Sequence, residues 1–382
     1  MNKTLRLALL LLLGLPCAAQ SAQPVPKSAP LTIANQGYFF VAGQYTAAKD
    51  GQIMTGQMYV QYQVPQQRKH RYPVVMWHGG GQTGTNFLGT PDGRMGWADY
   101  FVRQGYAVYV VDQPGRARSG YFTDTYGPTR RPNATAMAER FTAPELAKRY
   151  PQATLHTQWP GKGVAGDPTF DQFFASQVED MSNLTALEEL NRNAGTALLD
   201  KIGPAILLTH SQSGPFGWEI ADARPNLVKA VVAIEPNGPP FHENSVIGAP
   251  EWFEDAALGR VWGITRLPLA YDPPAADPKD LRMARQANAD GPDLVRCWLP
   301  EAPARQLVNL KRVPMLIVVS EASYHAPYDH CTSKYLTDAG VKHTFTRLPD
   351  VGIHGNGHMM MLEKNNLEIA ALLRRWIEKT VR

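Results

Sequence analysis

The sequence lacks internal repeats and low-complexity segments, and beyond residue 20 it lacks any apolar run long enough to span a bilayer. These absences exclude repeat architectures and argue against a protein with several membrane spans. Charged residues are few, at 19% of 382 residues, whereas hydrophobic residues make up 44%. A chain of this length and composition can bury a large core, which excludes global disorder.

A strong excess of charge is also missing. The formal net charge is +4, and loss of the N-terminal Lys3 and Arg6 would lower it to +2. A nearly neutral protein has no electrostatic basis for binding nucleic acid or an anionic membrane. We therefore expect a small-molecule partner and no nucleic acid. The sequence is compatible with a homodimer.

The first residues contain the longest apolar run of the chain. Lys3 and Arg6 precede a run from Leu7 to Leu15, and the small residues Cys17, Ala18 and Ala19 follow. This order is typical of a signal peptide, here residues 1–19, which predicts export of residues 20–382 to the periplasm or the medium. A short membrane anchor is the alternative, but the run is much shorter than the ~20 residues that a span needs.

Cysteine is scarce. Of three cysteines, Cys17 lies in the predicted signal peptide, which leaves Cys297 and Cys331. An even pair in an exported protein predicts a disulfide, and this one would close a loop of 331 − 297 = 34 residues. In the chain-entropy description such a bond contributes roughly 3–4 kcal/mol. Two buried free thiols are the alternative.

Continuous apolar runs alternate with helical patterns. These runs are residues 72–77, 106–111, 205–208, 227–234 and 313–319. Runs without polar alternation predict strands that are buried on both faces, so the fold class is α/β with a mostly parallel sheet. The earlier runs Gly37–Tyr45 and Ile53–Val64 alternate, which predicts two antiparallel strands at one edge.

Two segments, residues 121–176 and 236–312, interrupt this pattern. We expect them to be insertions that cap the edge of the sheet where ligands bind in α/β proteins, with helices near 279–289 and 302–310. Their large aromatic residues include Trp159, Phe170, Phe173, Phe174, Trp252, Phe253, Trp262 and Tyr271. These residues either line an apolar pocket or form the core of the cap itself.

The stretch LLTHSQSGPFG, residues 207–217, places a serine between a strand and a helix. A nucleophile elbow requires this arrangement, which favours Ser211 as a nucleophile. Thr209 and Ser213 stand where two glycines are usual. Ser213 is the weaker candidate because Pro215 would then occupy the tight turn. The alternative is a polar loop in which Ser211 only caps the helix.

A glycine-rich loop, WHGGGQTGTNF at residues 77–87, follows another buried strand. Backbone amides of Gly80, Gly81 and Gln212 are therefore candidates for an oxyanion hole. A phosphate-binding loop is excluded because the lysine that it needs is missing.

The base and the acid come from later loops. His358 in GIHGNGHMMM is the favoured base, with His354 as the alternative. Glu235 and Glu321 each end a predicted strand, and position alone does not separate them as acids. Because H-E-x-x-H and a third ligand are missing, we predict no metal and no cofactor.

Together these features resemble the α/β-hydrolase superfamily over about Gly37 to Arg382. The segments HSQSG, AIEPNG and GNGHMM are similar to those of a group of secreted bacterial carboxylesterases, in which the elbow reads like HSQGG. The resemblance implies a single α/β-hydrolase domain and ester hydrolysis through an acyl-enzyme. It also implies Ser211 as nucleophile, Glu235 as acid and His358 as base. Thr209 and Ser213 depart from the usual elbow.

Two other functions remain compatible with these residues. An amidase or peptidase would use the same groups, and matched ester and amide substrates would distinguish it. A non-catalytic exported binding protein would not need Ser211, His358 and a glutamate to converge. The chain order of serine, acid and histidine favours an enzyme.

Overall fold

The computed structural model describes residues 29–381, so the predicted signal peptide, residues 1–19, lies outside the described residues. A central sheet of eight strands organises the chain. The strands are β1 (Ile33–Val41), β2 (Met58–Pro65), β3 (Val74–Trp77), β4 (Val108–Asp112), β5 (Ala205–His210), β6 (Val228–Ile234), β7 (Met315–Val319) and β8 (His343–Arg347).

The spatial order of the strands is β1-β2-β4-β3-β5-β6-β7-β8. β1 pairs antiparallel with β2, and β2 pairs antiparallel with β4. The six strands β3 to β8 run parallel to one another. The predicted antiparallel edge is therefore confirmed. The predicted runs Gly37–Tyr45 and Ile53–Val64 overlap β1 and β2 and extend into a separate hairpin, Gln44–Ala48 with Gly51–Thr55, that lies between these strands.

Helices cover both faces of the sheet, because the central strands are apolar on both sides. Along β3, Val75 and Trp77 face one buried cluster, whereas Val74 and Met76 face the other. The covering helices are α1 (Trp97–Arg103), α2 (Leu184–Ile202), α3 (Gly214–Ala223), α4 (Asp329–Asp338) and α5 (Asn366–Thr380). α2 and α3 pack on the first cluster, and α1 and α5 on the second.

The segment from β4 to α2 consists of short elements. Its helices are Thr123–Tyr126, Ala134–Met137, Pro144–Ala147 and Pro168–Ala175, with 3₁₀ turns at Ala117–Ser119 and Pro151–Leu155 and a π-helical turn at Ala138–Thr142. Thr129–Arg130 pairs with Asp180–Met181. A further short helix, Thr85–Leu88, follows the glycine-rich loop after β3.

Between β6 and β7 the chain forms strands where helices were predicted. Met283–Arg285 pairs with Trp298–Pro300, and Gln306–Leu307 pairs with Tyr271–Asp272. The predicted helices near 279–289 and 302–310 are therefore wrong; only the 3₁₀ turns Pro278–Asp280 and Leu310–Arg312 are helical there. A hairpin, Phe241–Gly248 with Trp252–Arg260, begins the segment. Another 3₁₀ turn, Leu348–Val351, follows β8.

Most of the large aromatic residues in these two segments contribute to packing. Trp159 and Phe173 are buried against each other with ring centroids 5.4 Å apart. Trp262 and Tyr271 are buried in the cluster beside α2 and α3. For these four residues, a role in the core is the interpretation that the structure favours.

The predicted disulfide between Cys297 and Cys331 is confirmed, and it joins the segment before β7 to α4. Over the described residues, 29–381, no helix has both the length and the hydrophobicity that crossing a membrane would require.

Candidate active site

The register of the sheet brings Ser211 and Glu235 to the same edge. His210, the last residue of β5, pairs in parallel with Ile234, the last residue of β6. Ser211 and Glu235 therefore leave the sheet side by side. Both have positive backbone φ angles, 55° for Ser211 and 43° for Glu235. Non-glycine residues in this region store of order 1 kcal/mol or more of strain, and such strain concentrates at functional sites.

Ser213 holds the turn around Ser211. Its hydroxyl lies 2.8 Å from the backbone nitrogen of His210 and 2.9 Å from the carbonyl oxygen of Trp77, so it links β5 to β3. The side chain is fully buried. A serine in place of a glycine thus adds hydrogen bonds that stabilise the turn, and it leaves Ser213 inaccessible as a nucleophile.

Glycine is required one residue later. A Cβ atom on Gly214 would lie 2.4 Å from the Cβ atom of Pro236, which no real contact tolerates. The close approach lets α3 begin directly beside the segment that follows Glu235. The elbow therefore depends on Gly214 rather than on position 213.

Glu235 and His358 form a buried pair. The Glu235 carboxylate oxygen Oε2 lies 2.5 Å from Nδ1 of His358, and both side chains are fully buried. The hydroxyl of Ser320, at 2.5 Å, and that of Ser323, at 2.7 Å, also donate to this carboxylate. The backbone amide of Ser320 donates at 2.8 Å. Three protein donors besides the histidine fix the orientation of the carboxylate.

The environment of this pair sets its charges. Burial alone would raise the pKa of Glu235, but hydrogen bonding and charge attraction from His358, with the Ser320 hydrogen bond, lower its pKa below the ordinary value. Burial lowers the pKa of His358, and the bond to Glu235 only partly offsets this effect. At neutral pH the carboxylate is therefore ionised and the imidazole is neutral, as a general base requires.

Tyr324 connects the serine to the histidine. Its hydroxyl lies 3.4 Å from Nε2 of His358, and Ser211 lies beside the same hydroxyl. Burial raises the pKa of Tyr324, so the phenol stays protonated at neutral pH. The ring of Phe141 stacks on His358 with centroids 5.0 Å apart. Ser211 and Nε2 of His358 thus lie near the same hydroxyl, and Phe141 of the π-helical turn Ala138–Thr142 covers the histidine ring.

The glycine-rich loop lies beside Ser211. A Cβ atom on Gly79 would lie 3.1 Å from the Cβ atom of Ser211. The amide of Gly79 donates to the side chain of Gln82, whereas that of Gly80 has no backbone or side-chain acceptor among residues 29–381. Gly81 has a φ of 70° and its carbonyl accepts from Val178. Among these glycines, the amides of Gly80 and Gly81 have no acceptor within residues 29–381, so both are free to meet an oxyanion.

Arg116 fixes the position of this loop through hydrogen bonds. Its guanidinium donates to the carbonyl oxygen of Gly79 at 3.0 Å and to the Gln212 side chain at 3.1 Å. The Gln212 amide group in turn donates to Asp180 at 2.9 Å, and Asp180 lies 3.3 Å from Arg116. This buried network positions both segments proposed to supply oxyanion donors, the glycine-rich loop and the turn at Gln212.

The alternative acid and base pair with each other instead. Glu321 lies 3.0 Å from Nδ1 of His354, and its second oxygen accepts from the amide of Gly355. The His354 side chain is 62% exposed. The structure brings Glu235 together with His358 and keeps Glu321 with His354 at the surface.

A second histidine lies against the pair. His325 stacks on His358 with centroids 4.7 Å apart, and its Nδ1 lies 2.9 Å from Asp329. Ligand atoms of Glu235, His325 and His358 lie within 4.8 Å of one another. Because the hydrogen bond already joins Glu235 to His358, a metal ion would have to replace its proton.

Sequence reasoning missed several of these side chains. Tyr324, Ser320 and Ser323 all belong to the stretch SEASYH after β7, where only Glu321 had been singled out. Three hydroxyls in that loop were the available signal. Phe141 could not have been found, because it comes from a segment without a regular pattern.

Comparisons with known proteins agree with this architecture. The sequence profile of the Alpha/beta hydrolase family matches residues 74–372. A probable secreted lipase, phiG, of a fungal species (strain ATCC 74256) is 44% identical over 342 residues, which cover 90% of this chain and 89% of that protein. The solved structure of a novel bacterial esterase is 27% identical, with a TM-score of 0.62, over 93% of this chain and 99% of that one.

Proposed function

Because the chain belongs to the alpha/beta hydrolase family, we propose that it is a carboxylesterase that works through an acyl-enzyme on Ser211. One observation carries the proposal. Ser211 leaves the sheet on a strained turn next to Glu235, Glu235 lies 2.5 Å from Nδ1 of His358, and the Tyr324 hydroxyl beside Ser211 lies 3.4 Å from Nε2 of the same histidine.

The first step of the proposed reaction forms the acyl-enzyme. His358 Nε2 removes the proton of Ser211 as its oxygen attacks the ester carbonyl carbon. The amides of Gly80, Gly81 and Gln212 are the proposed donors to the oxyanion. The C–O bond to the alcohol then breaks, and His358 returns the proton to the leaving oxygen.

Water completes the cycle. It attacks the acyl carbon while His358 again acts as base, and Ser211 leaves with its proton. Glu235 stays ionised throughout and stabilises the positive charge that forms on His358. No step needs a metal or an organic cofactor.

The relatives support ester hydrolysis over amide hydrolysis. The fungal protein is described as a lipase and the bacterial structure as an esterase, and both cover about nine-tenths of this chain. Phe141 and Tyr324 supply an aromatic surface directly above His358. We therefore propose esters with apolar or aromatic groups as substrates.

Export is the proposed location. The N-terminal pattern predicts a signal peptide, the fungal relative is described as secreted, and the chain contains a disulfide. We also propose that residues 121–176 serve as a cap, because Phe141 covers His358 and Tyr150 donates to the carbonyl oxygen of Ala322 at 3.0 Å. N-terminal sequencing of the exported protein tests the cleavage site.

Labelling with a fluorophosphonate, followed by peptide mass spectrometry, tests the nucleophile. We expect one adduct on the peptide that contains residues 207–217. Ser211→Ala should abolish both the adduct and the hydrolysis of 4-nitrophenyl butyrate. The matching amide, a butyryl 4-nitroanilide, should be turned over far more slowly by the wild-type protein.

Ser213→Ala is the matched control, since it removes a neighbouring hydroxyl that only stabilises the turn. It should lower stability and still give the adduct. An adduct on Ser213, or ester turnover that survives Ser211→Ala, would overturn the proposal. Full activity on the anilide would assign an amidase.

A further inference from the structure

The segment from β4 to α2 contains six arginines, and one of them differs from the others. Arg116 and Arg130 pair with Asp180, Arg118 with Asp112, Arg131 with Glu179 and Arg149 with Glu139. Arg140 is exposed and has no carboxylate partner within residues 29–381. Among these six arginines, Arg140 is therefore the one whose charge no carboxylate of the described residues neutralises.

Arg140 lies at the mouth of the proposed active site. Its guanidinium carbon is 5.8 Å from the centroid of the Tyr324 ring, and the Tyr324 hydroxyl is 3.4 Å from Nε2 of His358. The neighbouring residue, Phe141, stacks on His358. The π-helical turn Ala138–Thr142 thus presents a cation and an aromatic ring side by side above the histidine.

The tyrosine ring lies within the ~6 Å over which an aromatic face attracts a guanidinium. A guanidinium that stacks on an aromatic face keeps its N–H groups free for an anion and loses little further entropy when it binds one. The planar N–H fork matches a carboxylate in a two-point contact. An arginine in this position is suited to recognise an anionic group of a bound molecule.

We propose that Arg140 forms a subsite for a carboxylate on the alcohol part of the substrate. This inference rests on the proposed esterase function and adds to it a substrate class, esters of hydroxy acids. The alcohol side follows from the geometry, because Arg140 reaches Tyr324 beside Nε2 of His358, and Nε2 is the atom that returns a proton to the leaving alcohol.

Two esters with the same acyl group test the subsite. One is 4-carboxyphenyl butyrate, and the other is its methyl ester, in which the charge is masked. The wild-type protein should prefer the charged ester in kcat/KM. Arg140→Gln should lower kcat/KM for the charged ester about fivefold or more, and should change that for the masked ester by less than about twofold.

Arg149→Gln is the control, since it removes the same charge from the same segment at a residue that is paired with Glu139. It should leave the preference intact. Added salt should weaken the preference of the wild-type protein and not that of Arg140→Gln, because screening acts on an exposed charge pair.

The outcomes separate this inference from the function on which it rests. If both esters are hydrolysed equally well by wild type and Arg140→Gln, the subsite is overturned and the esterase stands. If the preference appears only when the carboxylate is on the acyl part, as in 4-nitrophenyl hydrogen succinate, the placement on the alcohol side is overturned. If the wild-type protein hydrolyses neither ester, the proposed function itself fails.

Discussion

Two glutamate–histidine pairs join the same parts of the molecule and differ in almost every physical respect. The inner pair, Glu235 with His358, is fully buried and 2.5 Å apart. The outer pair, Glu321 with His354, is 3.0 Å apart, and its side chains are 20% and 62% exposed. In each pair the glutamate follows a strand, β6 for Glu235 and β7 for Glu321, and the histidine lies in the loop after β8.

The comparison shows that burial and supporting donors, more than the pairing itself, suit a pair to catalysis. Ser320 and Ser323 donate to the inner carboxylate, and the low local dielectric strengthens its effect on His358. The outer carboxylate has one further donor, the amide of Gly355, and water competes for both partners. We therefore expect changes to the inner pair to affect chemistry far more than changes to the outer pair.

Glu235→Gln should give the largest effect. The amide keeps the shape but removes the charge that orients His358 and stabilises its protonated form. We expect kcat for 4-nitrophenyl butyrate to fall by about 10³- to 10⁴-fold. Steady-state kinetics of the wild-type protein and the variant would measure this fall in kcat.

A structural loss must be separated from this catalytic loss. Circular dichroism and the thermal midpoint should show that Glu235→Gln remains folded, and fluorophosphonate labelling should become slower without moving to another residue. A folded variant with more than a tenth of wild-type activity would show that Glu235 is not the acid.

The pH dependence should distinguish the inner histidine from an ordinary one. Because burial lowers the pKa of His358, the base stays neutral to below pH 6.5. We expect the acid-side inflection of kcat/KM to lie below pH 6.5, with a fall of about tenfold per unit once the pH is below that pKa. An acid-side inflection above pH 7 would contradict this description of the site.

His156 anchors the loop that presents the inner histidine. Its two ring nitrogens lie 2.8 Å from Glu145 and 2.9 Å from Glu363, and Glu363 accepts from the amide of Gly357, next to His358. Burial alone would lower the pKa of His156, but its hydrogen bonds to the two glutamates raise it to about 9.

A histidine with a raised pKa stabilises the fold fully below its unfolded value of about 6.5, and this contribution is lost as the pH rises through the folded value. The free energy of unfolding should therefore fall by about 3 kcal/mol between pH 6.5 and pH 9.5. His156→Gln should remove most of this dependence, as urea denaturation at several pH values would measure. An unchanged slope in the variant would assign the dependence to other groups.

The sequence predicted the fold well because the apolar strands are long and uninterrupted. Runs such as residues 227–234 and 313–319 have no plausible place except inside a sheet. The strands at 283–285 and 298–300 were missed because three residues give no readable period. Their pairing depends on contacts between distant parts of the chain.

The sequence predicted some residues of the candidate site better than others. Ser211 follows from its strand–turn–helix context, but Glu235 and Glu321 both end apolar strands, and only the resemblance favoured Glu235. The residue that distinguishes their surroundings is Ser323, which donates to Glu235 across 88 positions. The identity of its acceptor depends on the register of β6 against β7, which local patterns do not contain.

The outer pair should give the smallest effect. Glu321→Gln keeps the possibility of accepting from Gly355 and removes an exposed charge, so we expect kcat/KM for 4-nitrophenyl butyrate to change by less than about threefold and stability by less than about 1 kcal/mol. Replacement of its partner, His354→Gln, should have an equally small effect. The stability change of the double variant should equal the sum of the two single changes, because an exposed pair has little coupling energy to lose.

A loss of activity above a hundredfold in either single variant, with the thermal midpoint unchanged, would mean that the outer pair takes part in the chemistry. The proposed assignment of Glu235 and His358 would then have to be abandoned, since only one pair can orient the base for Ser211.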